Sequence, residues 1–299
     1  DQEYQDRKKR TYRANHTRRV VDTINQYLFR QRPQRDSSAP EILQQFWQRA
    51  TRAGRTMDAF VQQLDRRESV YGRVYVVVDR PGELADSRSE EALPYAYIVP
   101  PTHMLDLGVD EAGEMTWALI GEDYRDDASP FSSGKMAWRV RLWTRTGWTL
   151  FGLADLDDPE SWQVIDQGEH GLGVVPVIAH SHANDDGTDY SAPSVIGDIA
   201  YMDRTVMNYG ALLDEIIYEQ TFSQLTMPAE AITPGTQESE ALIAAAKNRI
   251  FLYSGTAAGQ KPEFISPDAS QAELIIKAMQ VLMKNIYAVT GTDNDANSQ

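Results

Sequence analysis

The uninterrupted stretch 194–222 constrains the fold of this chain more than any other part of it. It contains no proline, and a nearly continuous apolar stripe recurs along it at steps of three and four residues. Pro193 and Ser194 mark its start, and Pro228 stops it. The spacing predicts a helix of about 43 Å, which needs a partner along its length. The stripe consists of Ile199, Met202, Val206, Tyr209, Leu213, Ile216 and Gln220.

A second long helix is predicted over 268–290, and it is apolar on most of its sides. Its polar side chains lie at steps of four, three and four residues and therefore share one face. This strip is either an ordinary surface strip with a Glu273–Lys277 ion pair or, if several copies form a ring, a face toward the lumen. The spacing favours neither alternative. The strip consists of Glu273, Lys277, Gln280 and Lys284.

The N-terminal part of the chain has helical periodicity. We expect one helix over 4–29 and a second that begins at Ser38 or Pro40 and continues to about Arg67. Gly54 is expected to interrupt the second helix, and Thr56 or Asp58 to cap its restart. At Val70 the period changes from 3.6 to 2, which predicts a strand over 70–78.

The middle of the chain consists of short β-branched and aromatic runs separated by Gly, Asp and Pro. This pattern predicts an antiparallel meander of some six to eight strands. A small insert at 225–267 is expected to contain a helix over 241–247 and strands near 249–253 and 263–266. The resulting fold class is α+β. The predicted middle strands are 95–99, 104–107, 116–122, 138–144, 147–151, 162–166 and 174–180.

Charge is divided unevenly along the 299 residues. Residues 1–80 contain 17 basic and 10 acidic side chains, whereas 81–299 contain 12 basic and 34 acidic ones. The basic N-terminal arm is expected to pair with acidic parts of a neighbouring subunit or to contact DNA. Without cysteine, disulfides and thiol catalysis are excluded; no signal peptide or membrane span is expected. The arm contains Arg7, Lys8, Lys9, Arg10, Arg13, Arg18 and Arg19.

One cluster of residues offers metal chemistry. His180 and His182 precede Asp185, Asp186 and Asp189 in a polar connection, and imidazoles with carboxylates are metal ligands. A metal-dependent hydrolase or nuclease is therefore the alternative function. The absence of ordered ligand spacing favours a solvated connection instead, and no metal or cofactor is expected.

The order of these elements resembles the portal proteins of tailed bacteriophages, the head-to-tail connectors. The resemblance rests on GRVYVVVDRP, PYAYIVPP and HGLGVVPVIAHSHAN, followed directly by the long helix SVIGDIAYMDRTVMNYGALLDE. It implies a portal-like α+β fold that ends before the family's tunnel helix and crown. The implied parts are a helical wing segment 1–69, a strand-rich wing 70–192, stem helices 193–224 and 268–290, a clip 225–267 and the start of a tunnel loop 291–299.

The resemblance also implies a function. Portal proteins are structural virion proteins that form a ring, typically a dodecamer, at one capsid vertex. Double-stranded DNA passes through the ring in packaging and ejection. The implied partners are the terminase large subunit, a head-completion or adaptor protein, and capsid and scaffolding proteins. The implied locations are the virion and, during assembly, the host cytoplasm. Such a protein is not an enzyme, and we expect Lys277 or Lys284 to face the DNA.

Overall fold

The computed structural model describes residues 14–80, 93–126, 134–153, 160–182, 192–220, 224–228, 250–253, 263–265 and 270–292, together with Gln5, Phe131 and Asp158. The described parts form two compact units. We call residues 18–198 the sheet unit, and residues 1–17 with 199–299 the helical unit. Helices and antiparallel sheets occur in separate parts of the chain, which confirms the α+β class.

Three helices open the described chain: α1 (His16–Leu28), α2 (Glu41–Gln48) and α3 (Met57–Tyr71). The predicted continuous helix over 4–29 is wrong at residues 14 and 15, which are not helical. Asn15, a residue type favoured just before a helix, directly precedes α1.

The predicted interruption near Gly54 is confirmed, because residues 49–56 between α2 and α3 are not helical. Gly54 has a φ of +78°, in a region that favours glycine. Thr56 caps α3, and its hydroxyl accepts a hydrogen bond from the amide of Ala59. The strand predicted from Val70 begins later, since Val70 and Tyr71 form the last turn of α3. Gly72 ends that helix with a φ of +78°.

Eight strands follow in the described part of the sheet unit, but they form two sheets and not one meander. One sheet has three strands in the order β2-β1-β8. The other has five strands, β3 to β7, in chain order. Both sheets are antiparallel. The strands are β1 (Arg73–Asp79), β2 (Tyr95–Val99), β3 (Met104–Val109), β4 (Met115–Asp126), β5 (Lys135–Thr144), β6 (Gly147–Leu153), β7 (Trp162–Glu169) and β8 (Val177–Ser181).

The three-stranded sheet is covered on both faces, because alternate side chains of a strand point to opposite sides. Tyr75 and Val77 of β1 pack with buried residues of the five-stranded sheet, including Trp143. Val76, between them in sequence, packs with the cluster around Phe60 of α3. The sheet unit is thus layered as helices, three-stranded sheet and five-stranded sheet.

The helical unit contains the two long helices, α4 (Gly197–Gln220) and α5 (Ser270–Val289), as the periodicity predicts. The insert between them contributes β9 (Gln224–Pro228), β10 (Ile250–Tyr253) and β11 (Glu263–Ile265). Strand β9 lies between β10, to which it is parallel, and β11, to which it is antiparallel. The helix predicted over 241–247 lies outside the described residues. No helix in the described ranges combines the length and apolar character that crossing a bilayer requires.

Candidate functional site

The polar strip of α5 lies on the surface of the chain. Glu273, Lys277, Gln280 and Lys284 are all exposed. Nζ of Lys277 lies 3.8 Å from Oε2 of Glu273, so the predicted i,i+4 ion pair is present. A pair this exposed contributes little to stability, and its charges remain accessible to a partner. Which way the strip faces in an assembly stays a prediction.

Apolar side chains of α5 are also exposed, beside this strip and around the helix. Ile286 is the one side chain of this helix that is buried. Leu274 is 69% exposed and Val281 is 59% exposed, and each directly follows a residue of the strip in sequence. The chain itself therefore leaves much of the apolar surface of α5 uncovered.

Helix α4 has one buried side and one exposed apolar side. Ile199 and Val206 of the predicted stripe are buried. The methyl carbon of Met279 on α5 lies 3.8 Å from the position that a Cβ on Gly210 would take, so glycine allows a close approach of the two helices. The exposed apolar side chains of α4 include Tyr201, Leu212 and Ile217.

The start of α1 contacts both long helices of the helical unit, and no sequence pattern predicts these contacts. Nδ1 of His16 lies 2.9 Å from the hydroxyl of Tyr287 on α5. Thr17 donates from its hydroxyl to Oδ2 of Asp203 on α4 at 2.6 Å, and from its amide at 3.3 Å. Asp203 is only 1% exposed. Hydrogen bonds from Thr17 therefore stabilise a buried carboxylate.

Most of the predicted basic arm lies outside the described residues, namely Arg7, Lys8, Lys9, Arg10 and Arg13. Arg18 and Arg19 are exposed on α1. Nε of Arg18 lies 3.5 Å from Asp22, one helical turn away. Arg18 thus has a partner within its own chain, and contact of the arm with DNA or a neighbouring subunit stays a prediction.

The two histidines of the candidate metal cluster face helix α3. Nδ1 of His180 lies 2.9 Å from Oε2 of Glu68, which is 1% exposed. Nε2 of His182 lies 3.2 Å from the Ser69 hydroxyl and 3.7 Å from Oδ1 of Asp65. The sequence prediction missed Asp65 and Glu68, although acids on the buried face of an amphipathic helix are a recognisable signal.

The aspartates of that candidate cluster, Asp185, Asp186 and Asp189, lie outside the described residues. Within the described ranges no three His, Asp or Glu side chains are grouped closely enough to hold a metal ion. The two histidines instead form a hydrogen-bond network with buried polar side chains of α3. The amide of Asn25 extends it by donating to Oδ2 of Asp65 at 2.6 Å.

This network predicts a pH-dependent contribution to stability. The hydrogen bond to Glu68 raises the pKa of His180 against the opposing effect of burial, and the charges of Glu68 and Asp65 add to it. Because the folded-state pKa is raised, this contribution is complete below the unfolded pKa of about 6.5 and is lost as pH rises through the folded pKa. We expect Glu68→Gln to lower the pKa of His180, measured by NMR titration of its imidazole.

The matched control for this titration is Glu160→Gln, which removes an exposed carboxylate of the same unit. It should leave the pKa of His180 unchanged. In urea unfolding at pH 6 and pH 8, wild type should lose more stability over this interval than Glu68→Gln. An unchanged pKa of His180 in Glu68→Gln would show that the ion pair does not form in solution.

Comparisons with known proteins leave the family of this chain open. No family model matches the sequence, and no curated protein matches it. Among solved structures, the chain is similar to a chain in the virion of a native gene transfer agent (GTA) particle. That similarity has a TM-score of 0.42 and 13% identity, and it covers 93% of this chain and 67% of the other.

Proposed function

We propose that this protein forms a portal ring, a structural conduit through which viral DNA is packaged and ejected. The observation that carries the proposal is the pair of long helices α4 and α5, whose apolar side chains remain exposed within one chain. Large exposed apolar surfaces on a soluble chain are typical of protein–protein contacts. The resemblance of the sequence to portal proteins supplies the kind of assembly.

A ring follows from the geometry of such contacts. When one face of a chain binds a different face of the next copy, the contact repeats, and it closes into a ring if the rotation allows. Two long helices with exposed apolar sides offer two different faces of this kind. In the proposed ring, typically a dodecamer, neighbouring copies cover Leu274, Val281 and Ile217.

The charge of the chain suits a DNA conduit. Residues 81–299 carry 34 acidic against 12 basic side chains, and an acidic wall repels phosphates and does not hold DNA in place. The strip on α5 includes Lys277 and Lys284, and we propose that one of them faces the lumen. The protein then has no catalytic role, and the terminase ATPase that docks on the clip drives the DNA.

The proposed location and partners follow from this role. The ring occupies one vertex of the capsid, and its β9–β11 insert corresponds to the clip. This clip binds the terminase large subunit during packaging and a head-completion or adaptor protein afterwards. Capsid and scaffolding proteins contact the ring during assembly in the host cytoplasm.

Electron microscopy of the purified full-length protein tests the proposal. Wild type is expected to give rings with a central hole. Leu274→Asp with Val281→Asp should abolish them, because the two charges would have to be buried between copies at a cost of several kcal/mol. Ile42→Asp with Leu43→Asp is the matched control, since it places two charges on exposed positions of α2 and should leave rings intact. A stable wild-type monomer at high concentration would overturn the proposal.

A further inference from the structure

An arginine-rich groove of about 520 Å³ lies in the sheet unit and shares no residue with the histidine network. Its walls come from the turn before α3, from α3 itself, and from strands β1, β2, β4 and β5. Four arginines line it, in a protein whose formal net charge is −15. They are Arg52, Arg55, Arg67 and Arg141.

Only one of these arginines is neutralised by an acid of the groove. Nε of Arg141 lies 2.6 Å from Oε1 of Glu122. The other acid, Asp79, accepts a hydrogen bond from the hydroxyl of Tyr95 at 2.7 Å. Burial and this hydrogen bond raise the pKa of Tyr95 to about 12, so Tyr95 remains neutral at physiological pH. Both acids of the groove therefore already have partners within it.

The other three arginines contact neutral groups. Arg67 donates to the carbonyl of Ile98 at 3.2 Å, and Arg55 donates to the side-chain amide of Gln63 at 2.9 Å. The guanidinium of Arg52 lies 5.9 Å from the ring centre of Tyr95. In the part of the chain that the structure describes, none of the three has a carboxylate within ion-pair distance. With four arginines and two acids among its lining residues, the groove thus presents a net charge of about +2 to an incoming group.

Carboxylates are the groups that such a groove recognises best. A guanidinium binds a carboxylate through two parallel N–H···O bonds. Arg52 and Arg55 are exposed and open to such a partner, whereas Arg67 is half-buried. A duplex would need a continuous basic surface to follow its phosphates, whereas these arginines share one short groove. A short acidic peptide segment suits its size better than DNA does.

We propose that this groove binds an acidic segment of a second copy of the chain, residues 155–160. Charge complementarity is the argument. This segment has four acids in six positions and no base, and no other six-residue segment of the chain has as large a net negative charge. Its described acids, Asp158 and Glu160, are exposed. The contact joins two different surfaces of the sheet unit, so it repeats from one copy to the next. The inference that these copies meet in this way rests on the proposed ring.

Charge reversal of the groove tests the proposal in the full-length protein. Arg52→Glu with Arg55→Glu is expected to weaken ring assembly by roughly tenfold to a hundredfold in sedimentation velocity. Wild-type assembly should also weaken as salt increases, because the contact is electrostatic. Arg30→Glu with Arg32→Glu makes the same charge change at exposed positions outside the groove, and it should not alter assembly. Unfolding curves establish that each variant is folded.

A charge swap tests the partner segment. Asp157→Arg with Asp158→Arg should weaken assembly alone and restore it when combined with Arg52→Glu and Arg55→Glu. Failure of the swap to restore assembly would overturn the assignment to 155–160. Unchanged rings in Arg52→Glu with Arg55→Glu would overturn the inference and leave the proposed function standing. Loss of DNA binding by this variant with its rings intact would have the same consequence. Absence of rings in wild type would overturn both.

Discussion

Replacing Gly72 with alanine is expected to lower the free energy of unfolding of the sheet unit by about 4 kcal/mol. Gly72 has a φ of +78°, which side-chain-bearing residues rarely adopt. A Cβ at this position would also overlap the carbonyl oxygen of Ala192 and lie 2.8 Å from the carbonyl carbon of Pro193. Both neighbours are backbone atoms, which cannot rotate away as a flexible side chain can.

Gly54→Ala is the matched control for this change. Gly54 has the same φ of +78°, but a Cβ there meets nothing within 4 Å. Alanine at Gly54 should therefore cost about 1 kcal/mol for the backbone conformation alone. Urea unfolding followed by circular dichroism measures both variants. Equal losses would mean that the segment at 192–193 moves aside without cost in free energy and does not pack closely against Gly72.

The segment that contacts Gly72 is also hydrogen-bonded to the end of α3. Ser194 donates from its hydroxyl to the carbonyls of Ser69 and Val70 at 3.0 and 2.7 Å. These carbonyls belong to the last turn of α3, whose acceptors have no partner within the helix. The chain is thus held at the end of α3 three residues before α4 begins at Gly197. Gly72→Ala disturbs this attachment as well as the turn into β1.

Features that depend on neighbouring residues could be predicted from the sequence. Gly54 and Thr56 end and restart a helix through their own backbone and side-chain preferences, so their roles were recognisable. The long helices were predicted because an apolar stripe repeats over many turns. The strand expected from Val70 failed, because Val70 and Tyr71 are β-favouring residues that the hydrogen bonds of α3 keep helical.

Features that depend on distant residues were not predictable. Strand β1 pairs with β8 about a hundred residues later. The period of a strand does not reveal its neighbour, so the spacing predicts one meander where the structure has two sheets. In the candidate site, too, contacts between residues far apart in sequence could not be predicted. The exposed strip on α5 follows from spacing alone, whereas Thr17 meets Asp203 across 186 positions. His180 likewise meets Glu68 across 112 positions, and nothing local distinguishes this partner from Asp185.

Trp143→Ala is expected to destabilise the sheet unit by about 4 kcal/mol, a large part of the stability of a typical domain. Trp143 on β5 is 1% exposed and belongs to the cluster that joins the two sheets. Its ring lies 6.3 Å from that of Trp148 and 6.0 Å from that of His170. Alanine would leave a cavity between the sheets that rigid strands cannot close. Urea unfolding measures the loss.

Trp162→Ala is the matched control, since Trp162 begins the edge strand β7 and is 44% exposed. It should cost less than about 1 kcal/mol. Hydrogen exchange adds a test of location, because Trp143→Ala should weaken amide protection in β1 and β5 together if one core serves both sheets. Loss of protection in β5 alone would show that the sheets are stabilised separately. The arginine groove, with residues on β2 and β5, would then depend on the helices for its shape.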